Sequence, residues 1–150
     1  MATYLVVASL CIALFIILTA MSWRTLIKPR SHYGKLIYLA CPYTHEDPEV
    51  RRKRYEQSLM ATIHLIRLGY NVFAPLIYTV PLESRVDGTY EKWLKFNLAI
   101  LSRCDELWVL KIPGWEVSKS ISEDIACAKE HYIPVRYVDY EQVVNKDKRG

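Results

Sequence analysis

The stretch LWVLKIPGWEVSKSISEDIACAKEHYIPV, Leu107–Val135, decides the architecture of this chain. Leu107–Leu110 is an apolar run of the length of a buried strand, and Ile133–Tyr137 begins another. Between them lie a loop, Lys111–Lys119, carrying Pro113 and Gly114, and a helical stretch from Ser120 onward. Strand, helix and strand in succession predict a crossover connection and therefore a parallel pair. Two adjacent acids, Glu123 and Asp124, stand early in that helix. A carboxylate one loop beyond a strand is placed where ligands of parallel sheets collect, at the carboxyl ends of the strands.

The same alternation holds upstream. Leu36–Ala40 reads as a buried strand ended by Cys41-Pro42, and Asp47-Pro48 as a helix start with Asp at the N-cap and Pro at the first helical position. Tyr55, Leu59, Ile63 and Ile66 repeat at helical spacing until Gly69 stops the helix. Tyr70–Ala74 is the next strand, closed by Pro75, and Trp93, Phe96 and Ile100 mark a further helix. The order β-α-β-α-β-α-β predicts an α/β fold, a parallel sheet with helices on both faces. Three loops then share the ligand-binding edge: Cys41–Glu46, Pro75–Thr89 and Lys111–Lys119. Neither a G-x-G-x-x-G nor a P-loop occurs, so a nucleotide dehydrogenase or kinase reading has no support.

The 150 residues suffice for one domain, and a net charge of +4 is too weak and dispersed to predict nucleic-acid binding. Tyr4–Trp23 contains no charged residue, is long enough to cross a bilayer, and is followed by Arg24, Lys28, Arg30 and Lys35. It predicts one transmembrane helix with the C-terminal domain cytoplasmic, Trp23 lying where an interfacial anchor sits. A cleaved signal peptide and a core helix are the rival readings, but the basic n-region of the first and the polar face of the second are missing. The expected organisation is a membrane helix over 4–23, a linker over 24–34, the α/β domain over 35–142 and a polar tail over 143–150. Cys11, Cys41, Cys104 and Cys127 form no C-x-x-C pair and have no His at ligand spacing, so reduced structural thiols and no metal site are expected.

Three motifs carry a resemblance. Tyr38-Leu39-Ala40-Cys41-Pro42-Tyr43, Arg103–Leu110 with its Cys104-Asp105, and Pro113-Gly114-Trp115-Glu116-x-Ser118 followed by an acid and Ile133-Pro134-Val135 resemble the ordered motifs of the nucleoside 2-deoxyribosyltransferase-like superfamily. The resemblance covers about Lys35 to Asp139, is closest to small members with a PGWE-S signature, and leaves the apolar N-terminal segment outside. It implies a flavodoxin-like or Rossmann-like domain acting on the N-glycosidic bond of deoxynucleosides or their 5′-monophosphates. A carboxylate nucleophile attacks the anomeric carbon, and water or a second base then takes the sugar. The resemblance further implies no cofactor, a homo-oligomer, and a first-motif tyrosine, taken as Tyr43, that orients the nucleophile. Substrate contacts are expected from Cys41, Pro42, Tyr43, Pro75, Tyr78, Trp93, Asn97, Gly114, Trp115, Ser118 and Ser120.

In that superfamily the nucleophile stands ten residues before the Pro of the last strand, which is Asp124 here, although Glu is the usual residue and Glu123 is adjacent. Ser120-Ile121-Ser122-Glu123 fits a capping box, which would occupy Glu123 and leave Asp124 ionised at the positive end of the helix. Asp124 is therefore favoured as nucleophile, with Glu123 the alternative. Asn97 stands where the superfamily commonly has Asp, and Ser120 where it has Gly. Asn97 can hydrogen-bond a base but cannot protonate it, so a membrane-tethered, non-catalytic nucleotide sensor or scaffold is the alternative function. Tyr43 and Trp115 each read equally as packing residues. Arg51, Arg52 and Arg54 read first as a solvated helix face and second as phosphate contacts, and His45 and His64 as surface or packing residues.

Overall fold

Successive side chains of a strand point to opposite faces of its sheet, and in β1 (Leu36–Ala40) both faces are buried. The computed structural model describes residues 34–145, and Lys35 opens one compact unit. Tyr38 and Ala40 join one core cluster with Leu107, Val109, Leu101 and Ile121, while Leu39 joins a second with Leu110, Ala61, Leu65 and Val143. Two cores on one sheet require helices on both sides, and the chain supplies them. After β1 come α1 (Pro48–Arg67), β2 (Asn71–Phe73), α2 (Pro75–Thr79) with a 3-10 turn at Val80–Leu82, α3 (Tyr90–Leu101), β3 (Glu106–Lys111), α4 (Lys119–Glu130), β4 (Val135–Asp139) and α5 (Tyr140–Val144). The four strands are all parallel in the order β2-β1-β3-β4. This is a Rossmann-like α/β sheet, with α3 and α4 contributing to one core and α1, α2 and α5 to the other.

Local chemistry sets the first helix. Asp47 accepts the Glu49 amide at 2.8 Å and Pro48 occupies the first helical position. At the other end Gly69, φ 84°, lets the Tyr70 amide reach Leu65 O at 3.0 Å and its own amide reach Ile66 O at 2.9 Å, the paired bonds of a Schellman cap. The packed face differs from the apolar repeat in the sequence. Ser58, Ala61, Thr62 and Leu65 are buried, whereas Ile66 is 55% exposed. Small side chains let the helix backbone approach the sheet, so the contact stripe lies one residue away from the large aliphatics.

Other boundaries shift for identifiable reasons. The expected loop after Pro75 begins with α2, since Pro at a first helical position favours a turn of helix. The last strand starts at Val135 rather than Ile133, with Pro134 contributing its carbonyl to the Leu107 amide. Helix α5 carries Val143 into the core, so packed structure continues past residue 142. Ser118, not Ser120, holds the N-cap position of α4, and no side chain caps it. The turn closed by Trp115 N to Ile112 O and Ser118 N to Trp115 O brings the chain into helix two residues early. The capping box therefore does not form, and Glu123 and Asp124 are the fifth and sixth helical residues. Among the described residues no helix is long and apolar enough to cross a membrane, and the expected span Tyr4–Trp23 lies outside them.

At the N-terminal edge of the sheet Glu106 is 4% exposed yet charged. Its carboxylate pairs with Lys35 at 2.6 Å and Arg136 at 3.0 Å and accepts the Trp108 indole N–H at 2.8 Å. Burial raises its pKa, but these partners together hold it below the usual carboxylate range. A depressed carboxylate stabilises the fold above its unfolded pKa and ceases to do so as pH falls through the folded one. Glu106→Gln is expected to lose about 1.5–3 kcal/mol at pH 7. Most of that difference should vanish below the folded pKa of Glu106, as read from urea unfolding at the two pH values.

Candidate active site

The chain leaves β1 toward β2 on one side and returns to β3 on the other, so a crevice opens beyond the carboxyl ends of β1 and β3. A cavity of about 550 Å³ lies there. Its lining includes Tyr38, Tyr43, Trp93, Asn97, Ser120 and Asp124. The span from first motif to α4 thus converges on one space, and Tyr43, Asn97 and Asp124 share it.

Asp124 is the buried acid of this lining. It lies on the inner face of α4 with Ile121, Cys127 and Ala128, and is 6% exposed. Burial above all raises its pKa, a Tyr38 hydrogen bond lowers it and the neighbouring Glu123 charge raises it, with the net at about 7. The sequence placed this acid at the positive end of a helix, held ionised. The structure puts it more than a turn inside, where desolvation dominates and the carboxyl titrates near neutrality. Tyr38 Oη donates to Asp124 Oδ1 at 3.3 Å, a long bond within the core. Burial, then the Asp124 charge, drive the phenol well above its ordinary pKa, so it remains a donor.

The tyrosine that hydrogen-bonds Asp124 is Tyr38. Tyr43 Oη instead reaches Glu83 at 3.3 Å across the mouth, where Arg51 is a further neighbour. The sequence contains a signal for Tyr38: a tyrosine inside a strand buried on both faces needs a partner for its hydroxyl. Glu123 faces elsewhere. Its carboxylate accepts the Tyr90 hydroxyl, and Lys119 lies 3.9 Å from it and over the Tyr90 ring.

Asn97 Oδ1 is buried without a hydrogen-bond partner and belongs to the cavity lining. A buried acceptor left unpaired costs free energy that a ligand N–H or O–H would recover. Cys41 and Pro75 line the same cavity, and burial pushes the Cys41 thiol up to about 12, which keeps it protonated. Pro42 is fully buried and lies outside the cavity lining. Tyr78, half exposed, stacks on Phe96 with centroids 5.4 Å apart, also outside the lining. Trp115 packs on the core and on Tyr137, centroids 5.3 Å apart, and lies outside the lining of the cavity.

Gly114 and Ser118 line a second cavity of about 400 Å³, together with Arg54 and Lys119. It shares Thr44, His45, Tyr90 and Ser120 with the first. Gly114 has φ 95°, and a Cβ there would collide with the Arg54 guanidinium. That guanidinium donates to Thr44 O at 2.8 Å and Pro113 O at 2.9 Å, tying the loop after β1 to the loop after β3. Of the three arginines, Arg51 lines the larger cavity, Arg54 is this brace, and Arg52 pairs on the surface with Glu49 and Glu56. Among the described residues no group of three His, Cys, Asp or Glu is placed to hold a metal ion. Cys41, Cys104 and Cys127 are buried and form no disulfide.

The chain belongs to the family described as a domain of unknown function, DUF1937, matched over residues 35–140. The match begins at the residue before β1 and ends at the start of α5, so it takes in both cavities. No curated protein matches the sequence.

A carboxyl whose folded pKa is raised stabilises the fold less as pH climbs from its unfolded value, about 4, toward 7. Asp124→Asn removes the charge but keeps the shape. It should leave stability near wild type at pH 4 and raise it by up to a few kcal/mol at pH 8. Urea midpoints at the two pH values test this. An equal change at both would mean that Asp124 titrates as a solvated carboxyl.

Proposed function

We propose that this domain cleaves or transfers the N-glycosidic bond of a nucleoside or nucleoside 5′-monophosphate, with Asp124 as the nucleophile. The observation that carries the reading is the near-neutral carboxyl of Asp124, buried against Tyr38 in the lining of a nucleoside-sized cavity. A perturbed carboxyl inside a cleft is the signature of a functional acid or base. The ordered motifs that resemble the nucleoside 2-deoxyribosyltransferase-like superfamily supply the reaction class.

In this mechanism an Asp124 oxygen attacks C1′ of the sugar as the C1′–N bond breaks and its electron pair passes to the base. The anion stabilises the positive charge that develops on the sugar. Tyr38 holds the attacking group through its hydrogen bond, and Asn97 Oδ1 accepts an N–H from the base. The departing base takes its proton from solvent, because Asn97 has none to give. Water, or the nitrogen of a second base, then attacks C1′ of the glycosyl ester and frees Asp124. The unpaired Asn97 Oδ1 also favours a second reading, a nucleotide sensor that binds without turnover, since it provides recognition but no acid.

The uncharged run Tyr4–Trp23 with its basic flank supports a single-pass anchor that keeps the domain cytoplasmic. The full-length protein should then sediment with membranes and resist high-salt extraction. Its recovery uncleaved in the soluble fraction would rule the anchor out.

Base release from a panel of deoxynucleosides and their monophosphates tests the activity, and an added second base separates transfer from hydrolysis. Since Asp124 must lose its proton to attack, kcat/KM should rise with pH through about 7. Asp124→Asn should lower kcat by several orders of magnitude, whereas Glu123→Gln should retain most of it. Binding without base release would favour the sensor. Full activity in Asp124→Asn would end the proposed mechanism.

A further inference from the structure

The smaller cavity has no part in the proposed mechanism, yet at about 400 Å³ it lies within the size range of small-molecule sites. Thr44, His45, Tyr90 and Ser120 line both cavities, so the two spaces meet along one border. Helix α4 crosses that border. Ser120 and Asp124 stand four residues apart on it, on one face, and both line the larger cavity. Ser120 also lines the smaller one. The border is thus about 6 Å along the helix from the acid that faces the sugar in the proposed mechanism. That is a distance a ribose spans from C1′ to its 5′ substituent.

Charge separates the two spaces. The larger cavity holds the carboxyl groups of Asp124 and Glu83 together with Arg51. The smaller one holds Arg54 and Lys119, and no acid is among its described lining residues. Glu46 and Glu116 are exposed and outside that lining. Glu123 is outside it too, and its carboxylate already accepts the Tyr90 hydroxyl. The Lys119 ammonium lies 3.9 Å from Glu123, at the limit of an ion pair, with its side chain 76% exposed. The Arg54 guanidinium donates to the Thr44 and Pro113 carbonyls, and its Nε is buried with no hydrogen-bond partner. Both cations therefore keep charge that an anion can neutralise.

We infer that the smaller cavity receives a diphosphate, and that the ligand of this domain is a nucleoside 5′-diphosphate whose nucleoside part lies in the larger cavity. The placement of the nucleoside rests on the proposed function. Ionised Asp124 repels the phosphates and Arg54 and Lys119 attract them, which fixes which end of the ligand enters which space. A single phosphate on the ribose would occupy a small part of the smaller cavity. A second one fills more of it and brings a further charge-assisted partner for the second cation.

The test is equilibrium binding of the full-length chain, in neutral detergent, to the common deoxynucleosides and their 5′-mono- and 5′-diphosphates. For the base that binds, the diphosphate should bind at least about tenfold more tightly than the monophosphate. High salt should shrink that ratio. Lys119→Gln should remove most of it, and because both ligands are compared within one variant, a general loss of binding does not imitate the effect. Equal affinity for mono- and diphosphate would overturn the proposal, and so would a ratio unchanged in Lys119→Gln. Inorganic pyrophosphate probes the smaller cavity without any nucleoside. It should bind the wild type, compete with the diphosphates and bind Lys119→Gln more weakly. Cleavage of deoxynucleosides by a protein that does not bind pyrophosphate would overturn the diphosphate site and leave the proposed function standing. Binding of pyrophosphate but of no nucleoside or nucleotide would overturn the nucleoside diphosphate as ligand together with the proposed function.

Discussion

The contact between Tyr38 and Asp124 is the constraint around which the cavity is arranged. A carboxyl and a phenol meet inside an α/β core, where each would otherwise face apolar atoms. Keeping both there costs stability, above all when Asp124 is ionised. The surrounding structure must therefore fix both ends. Tyr38 lies in an interior strand, in register with Phe73 on one side and Leu107 on the other, and its ring packs 5.9 Å from that of Phe73. Asp124 is fixed by the face of α4 that also buries Ile121, Cys127 and Ala128. A shift of one residue in β1 would turn Tyr38 to the opposite face of the sheet.

The mouth of the cavity depends on a different kind of bond. Nothing in the sheet ladder holds the loops after β1 and β3 together, because they lie beyond the last paired residues. Arg54 does so from α1, through carbonyls of both loops. Its guanidinium passes so close to the chain that a side chain at position 114 would have to displace it. Gly114 thus answers to an internal arginine as well as to its own positive φ, a structural reason independent of any ligand. The same brace shapes the second cavity, which Arg54 and Gly114 both line.

Much of the fold was legible because its signals are local. Asp47-Pro48 and Gly69 mark the ends of a helix through capping geometry, and Leu36–Ala40 could not be other than buried. The packed stripe of α1 was less legible, because Ser58 and Ala61 are chosen for small size and not for hydrophobicity. Helices α2 and α5, at five residues each, are too short to show a period. In the site, the first two of the loops predicted to share an edge line the larger cavity through Tyr43 and Pro75, joined by Trp93, Asn97 and Ser120 from helices, while the third lines the smaller one through Gly114 and Ser118. Tyr78 and Trp115 do not reach the cavity because aromatic neighbours, Phe96 and Tyr137, hold their rings. A tyrosine that contacts an acid 86 residues away has no local trace beyond its being polar in an apolar strand.

The choice between the adjacent acids shows which physical argument has force. The capping-box argument favours Asp124 by assigning Glu123 to the helix terminus, yet α4 begins at Lys119 and that box is absent. Helical geometry supplies a sounder ground. Neighbouring residues are about 100° apart around a helix, so only one of two adjacent acids can face the sheet. Ile121, Asp124 and Ala128 repeat at intervals of three and four and define the buried face. Glu123 lies beside that stripe and meets Tyr90 and Lys119 at its border. An acid inside an otherwise apolar helical stripe is a polar group placed against the hydrophobic pattern, and that conflict between local chemistry and burial is what sets Asp124 apart from Glu123.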